Sequence, residues 1–338
     1  MGRKIAGVEL APLNMPLHRR IQTLCAFTTS YLFFFGGLTS ILFLLFLLHT
    51  KYYWITLLYV TWFWFDRDTS SRGGRPSQWL RNSAAYRYLR DYFPISLVKT
   101  ADLDPKENYL IGYHPHGIMG FGTSNFVTEA TGFSKEFPGI KSYVLTLKLL
   151  HYLPFYREYI SAIGYCDVSK DSIDYILRTK GNAVVILIGG AKESLDANPS
   201  TSSIVLKNRK GFVKMALKNG AHLVPSYTFG ENELFRQAFD NKPGSRLRRF
   251  QRFFQSRVGY APICVTGRGF FQYSFGIVPH RVPLITVVGK PIHLTKTPSP
   301  SQEDIDKLHD RYMVALKDLF DEHKTKYGYG EQTIEFIE

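Results

Sequence analysis

"NYLIGYHPHG", residues 108–117, decides how the chain is read. Its first six residues form a strand-like apolar run, and the chain then turns through His-Pro-His-Gly, so that two imidazoles flank a proline at a strand end. A metal site, a catalytic base and a turn without chemistry are the three readings of that ending. Similar apolar runs recur at "AVVILI" (183–188), "HLVPSYTF" (222–229) and "PLITVVG" (283–289). Near-continuous runs of this kind fit buried parallel strands. Pro225 inside the third predicts an edge or a bulge there. Helical patterns separate the runs. "DSIDYILRTKG" (171–181) has Asp171 as its predicted N-cap and Gly181 as its stop, and "NRKGFVKMALKNG" (208–220) stops at Gly220. A last helix is entered through Ser299, Pro300 and Gln302 as a capping box, and Ile305, Leu308, Tyr312, Leu316, Leu319 and Phe320 share its core face. The alternation predicts an α/β domain over residues 66–338.

Upstream the composition changes. Residues 24–48, "LCAFTTSYLFFFGGLTSILFLLFLL", are 25 uncharged residues, and a spanning helix needs about 20. After His49, Thr50 and Lys51 come 14 more, "YYWITLLYVTWFWF" (52–65). As a helix that piece covers only about 21 Å of a roughly 30 Å hydrocarbon core. The apolar stretch outruns the roughly 7–15 residues of a signal peptide core. His18, Arg19 and Arg20 precede it and Arg67, Arg72, Arg75 and Arg81 follow it, whereas the connection carries only Lys51. The positive-inside rule then predicts a cytosolic segment 1–23, a hairpin 24–65 dipping into or across the bilayer, and a cytosolic body.

The 42 basic and 28 acidic residues leave a net charge of +14, which calls for an anionic partner. Nucleic acid is excluded, because no zinc-finger spacing, RNP-like aromatic pattern or basic arm is present. Cys25, Cys166 and Cys264 are scattered and odd in number, so they give neither a disulfide framework nor a metal pair. Residues 240–258 mix five Arg with Phe and Leu, which fits a membrane-surface helix or a solvated basic face.

At HPHG, His114 and His116 supply two ligands where zinc needs three or four, and no HExxH or cysteine pair completes a set. No metal is therefore expected. There is no G-x-S-x-G nucleophile elbow and no P-loop lysine. A general base remains, set against a structural turn: imidazole titrates near neutrality, Pro115 and Gly117 shape the turn, and strand ends of open α/β sheets hold ligands. A second glycine turn at a strand end, Gly189 and Gly190 followed by Lys192 and Glu193, offers backbone N–H groups to an anion. Glu193 reads either as a carboxylate that orients a histidine or as an ordinary first-turn acid. Arg209 and Lys210 at a helix start suit a phosphate, or form a solvated cationic face.

Several long motifs, in order, resemble the type-2 diacylglycerol acyltransferase family, which includes monoacylglycerol and wax-alcohol acyltransferases. They are "YFPISLVKTADLDP" (92–105), "HPHGIMGFG" (114–122), "FPGIKSYVLTL" (137–147), "GGAKESL" (189–195), "NRKGFVKMALKNGAHLVPSYTFGEN" (208–232), "GRGFFQYSFGIVPHRVPLITVVGKPI" (267–292) and "YMVALKDLFDEHKTKYG" (312–328). The resemblance implies an α/β fold behind the hairpin, a glycerolipid-acyltransferase-like mixed sheet with flanking helices. It also implies residence in the endoplasmic reticulum membrane and on lipid droplets, with the catalytic domain facing the cytosol. The implied activity is transfer of a fatty acyl group from acyl-CoA to diacylglycerol without metal or cofactor, acyl-CoA being a substrate; the alternatives are a monoacylglycerol acceptor and a non-catalytic lipid-droplet protein. Membrane lipids and a homo-oligomer are compatible partners. The wider group pairs His with an Asp five residues on, but here those positions hold Met119 and Phe121, and the implied partner is Glu193. Plant members carry Glu at the position of His114. That leaves His116 as the implied base and His114 as its helper on the acceptor. Gly117, Gly189 and Gly190 would bind the acyl-CoA and meet the oxyanion, and Lys192, Arg209 and Lys210 would bind CoA phosphates.

Overall fold

The computed structural model describes residues 4–199, 202–239, 241–242 and 244–338. Its centre is a seven-stranded sheet of β1 (Ile95–Lys99), β2 (Tyr109–His114), β3 (Lys141–Thr146), β4 (Tyr165–Asp167), β5 (Asn182–Leu187), β6 (His222–Phe229) and β7 (Leu284–Val288). Across the sheet the order is β1-β7-β6-β2-β5-β3-β4. The strands from β6 to β4 are mutually parallel; β7 is antiparallel to β6 and parallel to β1. The four apolar runs are β2, β5, β6 and β7. All four are interior strands covered on both faces, which is why their sequences show little polar alternation.

Pro225 is a correction: it lies in interior strand β6, not at an edge. The ladder with β7 ends at the Ser226–Val288 pair, so the missing N–H falls just beyond it. The Pro225 carbonyl still accepts from Gly289 N–H at 2.8 Å, and on the other side the Ser226 hydroxyl donates to the Gly112 carbonyl at 2.9 Å.

The helices used below are α1 (Leu17–Leu48), α2 (Tyr53–Phe65), α3 (Ala84–Tyr92), α4 (Tyr156–Ile163), α5 (Lys170–Ile176), α6 (Gly190–Ser194), α7 (Gly211–Asn219), α8 (Arg246–Val258) and α9 (Gln302–Lys324). Two caps differ from expectation. The N-cap of α5 is Ser169, whose hydroxyl accepts Ser172 N–H at 3.1 Å, while Asp171 sits inside the first turn. The α9 box is Ser301 with Asp304, because the Asp304 carboxylate accepts both the Ser301 N–H and its hydroxyl.

Period-two alternation divides the core. Leu110, Val184 and Ile186 face a layer of α7 and α9, where Ile305, Leu308, Tyr312, Leu316, Leu319 and Phe320 are all buried as the spacing predicts. Tyr109, Ile111 and Tyr113 face the opposite layer with Phe126, Phe133 and Phe137. His114 has the parity of Leu110 and therefore points at α9.

Among the described residues α1 is the one helix long and apolar enough, by length and composition, to cross a membrane. It begins at Leu17 rather than near residue 24 and takes His18, Arg19 and Arg20 into its first turn. That start is anchored on the body: Gln22, Thr23, Ala26 and Ser30 are buried, and Ala26 joins the Tyr86 and Leu89 cluster of α3. Beyond it, α1 and α2 form a hairpin in which Thr56 donates to the Leu44 carbonyl at 3.1 Å. The hairpin exposes Leu42, Phe43, Phe46, Leu58, Trp62 and Trp64. The far end of α2 returns to the body, where Arg157 of α4 binds Asp66 at 2.7 Å.

Candidate active site

Strands β5, β2 and β6 are adjacent and parallel, with Tyr113 in register with Leu187 and with Ser226. Their C-terminal loops therefore lie side by side: GGAKES after β5, HPHG after β2 and GEN after β6. This is the edge at which open α/β sheets place ligands.

His116, just past β2, forms part of the wall of a cavity of ≈ 320 Å³ that opens to solvent. Its Nδ1 lies 3.0 Å from the Gly117 carbonyl and 2.8 Å from Ser194 Oγ. A carbonyl only accepts, so Nδ1 carries the proton, the serine oxygen shares it, and Nε2 keeps its lone pair. Burial pushes the His116 pKa below its ordinary 6.5, which holds the ring in the neutral, basic form at pH 7.

Glu193, buried in α6, touches the same loop but not in the expected way. One carboxylate oxygen accepts the His116 backbone N–H, and the other accepts Val205 N–H at 2.9 Å. Both oxygens are taken by main chain, so Glu193 clamps the HPHG turn instead of orienting the imidazole. Burial pushes its pKa up to about 7. Gly189 makes room for it, since a Cβ there would stand 2.1 Å from the carboxylate. Gly190, at φ +62°, lines the cavity.

His114 lies apart from the cavity. It is 0 % exposed and absent from the cavity wall, and its Nε2 pairs with the Tyr312 hydroxyl at 3.0 Å. Gly112 permits this, because a Cβ there would lie 1.9 Å from that hydroxyl. Strand parity thus places His114 in the core beneath α9, away from the cavity wall. Burial pulls its pKa to about 3. The unfolded chain binds a proton at His114 below 6.5 and the folded chain does not, so stability falls as pH drops from 6.5 towards 3, by about 1.4 kcal/mol per pH unit from this group. His114→Gln is therefore expected to flatten the acid limb of thermal stability, measured by pH-dependent melts in detergent micelles. It costs about 1–3 kcal/mol at pH 8 through the Tyr312 pair, and its turnover per folded molecule stays at least tenfold above that of His116→Ala.

The basic candidates separate. Arg209 lines the cavity and approaches the Gly189 carbonyl at 3.4 Å. Lys210 pairs with Asp306 on α9 at 2.8 Å and is not part of the cavity wall. Lys192 is half-buried on α6 and is also absent from the wall.

Two residues escaped the sequence reading. Ser194 is one. The other is Glu231, buried in the third loop: its carboxylate accepts the Tyr113 hydroxyl, Phe121 N–H and Gly122 N–H, each at 2.8 Å. It also fills the space over Gly117 (φ +60°), where a Cβ would meet its Cγ at 2.6 Å. Burial raises its pKa to about 7. The available signal was an acid directly after the glycine that ends "SYTFG", on a strand parallel to that of HPHG.

The large cavity adjoins a second one of ≈ 90 Å³, lined by Tyr86, Leu89, Val127, Ile160 and Ile163. The two share Phe33, Met119, Thr146, Leu150 and Tyr165. A neutral imidazole, a cavity-wall arginine and two adjoining, mainly apolar cavities can bring a lipid hydroxyl and an activated acyl group together, with a base between them.

The sequence model of the diacylglycerol acyltransferase family matches residues 44–337, and the chain belongs to that family. It is 46 % identical over 327 residues to 2-acylglycerol O-acyltransferase 1 of Bos taurus, covering 96 % of this chain and 97 % of that one. It is 47 % identical over 322 residues to diacylglycerol O-acyltransferase 2 of Homo sapiens, covering 94 % and 83 %. Among solved structures, the 1-acyl-sn-glycerophosphate acyltransferase PlsC of Thermotoga maritima aligns with 90 % of this chain and 96 % of its own, at TM-score 0.39 and 12 % identity.

Proposed function

We propose that this protein transfers a fatty acyl group from acyl-CoA to the free hydroxyl of diacylglycerol, with His116 as general base. The observation that carries the reading is the His116 ring on the wall of the larger of two adjoining, mainly apolar cavities, with Nδ1–H committed to Gly117 and Nε2 left as acceptor. Nε2 takes the hydroxyl proton as the alkoxide oxygen attacks the thioester carbonyl. Backbone N–H groups about Gly117 and Gly190 meet the developing oxyanion. As the intermediate collapses, the C–S bond breaks and the imidazolium returns its proton to the CoA sulfur. No metal or cofactor enters; acyl-CoA is a substrate. Arg209 would meet a CoA phosphate, so Arg209→Ala is expected to raise KM for acyl-CoA about tenfold with kcat nearly kept. Unchanged acyl-CoA kinetics would remove Arg209 from that role.

A monoacylglycerol acceptor is the second reading, supported by 46 % identity to a 2-acylglycerol O-acyltransferase beside 47 % to a diacylglycerol enzyme. One labelled acyl-CoA offered with diacylglycerol, 2-monoacylglycerol and a long-chain alcohol decides between them. No transfer to any acceptor in lipid nanodiscs would leave a non-catalytic membrane protein.

The exposed hairpin would admit the acceptor from the bilayer. Both its ends are fastened to the body, through Ala26 and through Arg157–Asp66, which supports one side of the membrane for both flanks. The proposed setting is the endoplasmic reticulum membrane and the droplet surface, with the body cytosolic. Protease protection of only one flank in sealed microsomes would overturn that topology.

A further inference from the structure

Helix α8 is amphipathic the wrong way round for a helix that faces water. Its buried residues are polar: Arg248 bonds the Leu195 carbonyl at 2.8 Å and Asp196 at 2.5 Å, and Gln251 bonds the Pro262 carbonyl at 3.1 Å. Its exposed face carries Phe250, Phe253, Phe254 and Val258, spaced three and four residues apart and 54 %, 55 %, 38 % and 43 % exposed. Arg246, Arg249, Arg252 and Arg257 are exposed beside them, with Arg257 stacked on Phe253 at 5.3 Å. The helix holds no acidic residue. An aromatic face amid arginines is the composition that seats a helix in the headgroup region of an anionic bilayer.

We infer that α8 docks flat on an anionic lipid surface. Charge complementarity selects that occupant, and so does continuity with the apolar hairpin: Gln255 and the adjoining Gly259 and Tyr260 line the same large cavity as Phe33 and Phe34 of α1. The hairpin and α8 thus flank one opening, and α8 holds that opening against the bilayer from which a lipid substrate enters. This rests on the membrane reading of residues 24–65.

The test uses the full chain with Cys25→Ser and Cys264→Ser, one copy per nanodisc, in phosphatidylcholine with or without phosphatidylserine. A nitroxide is placed at Phe250→Cys, Phe254→Cys, Ser256→Cys or, on the hairpin, Leu42→Cys. With phosphatidylserine, labels at 250 and 254 are expected to collide more with oxygen than with a nickel chelate, and the label at 256 the reverse. Replacing Arg246, Arg249, Arg252 and Arg257 together by Gln is expected to remove most of the phosphatidylserine dependence of both the collisions and the KM for lipid acceptor. Water-accessible labels at 250 and 254 beside an oxygen-accessible label at 42 would overturn the α8 proposal alone. Water accessibility at all four positions would overturn the membrane reading with it. Shielding of 250 and 254 only when two copies share a disc would show a second chain as the occupant and also overturn the proposal.

Discussion

Purified His116→Ala protein is expected to lose acyl transfer by a factor of about 10²–10⁴ while still folding. Its ring contacts only the Gly117 carbonyl and Ser194 Oγ by hydrogen bonds, and it borders open space, so truncation opens no sealed void. A melting temperature close to that of the parent should accompany the lost turnover. The pH profile gives a second readout. Burial lowers the His116 pKa, so the neutral base persists below 6.5, and the acid limb of kcat/KM should lie below that value. The residual rate of His116→Ala should lack this limb. Ser194→Ala removes one contact to Nδ1 and leaves the Gly117 carbonyl in place, so a smaller loss is expected there. Near-parental transfer by His116→Ala, with any of the three acceptors, would remove the base assignment.

The strands were legible because burial on both faces writes itself as uninterrupted apolar runs, and β2, β5, β6 and β7 fall within a residue or so of the runs that suggested them. Pro225 misled because propensity rules describe a residue, whereas the cost of a missing N–H depends on where the neighbouring ladder stops. The juxtaposition of HPHG with GGAKES was also within reach, since both follow runs that read as parallel strands. The separate placement of the two HPHG histidines was not. It depends on strand parity, which turns His114 under α9 to a tyrosine almost two hundred residues downstream in sequence, and on Gly112 leaving that tyrosine room. Glu193 was legible as a residue of the site but not as a backbone clamp, because whether a carboxylate reaches a ring or a peptide N–H is settled by ångströms that spacing does not encode. Lys210 likewise looked like its neighbour Arg209, but it reaches Asp306 on α9 while Arg209 lines the cavity.

Glu231→Gln is expected to lower kcat about tenfold or more while leaving the KM for acyl-CoA nearly unchanged. The wild-type carboxyl group takes three donors, from Tyr113, Phe121 and Gly122, and packs on Gly117. A glutamine offers one oxygen and presents its NH₂ to at least one of those donors, leaving a buried polar group unpaired at a cost of about 1–3 kcal/mol. The loop that carries His116 relaxes with it, so the effect falls on the chemical step. Glu231→Ala strands all three donors and is expected to lose at least about 3 kcal/mol of stability, which is why the glutamine variant is the sharper probe. The pH dependence separates a positioning role from bulk packing. Burial raises the Glu231 pKa from 4.5 to about 7, so between those values the folded chain holds a proton that the unfolded chain has released. Wild-type stability should therefore decline as pH rises through that window, by about 1.4 kcal/mol per unit from this group, with Glu193 acting in the same direction. Glu231→Gln should remove its own share and flatten the curve. A variant with parental kcat and the parental slope would show that the third strand-end loop does not hold the histidine turn.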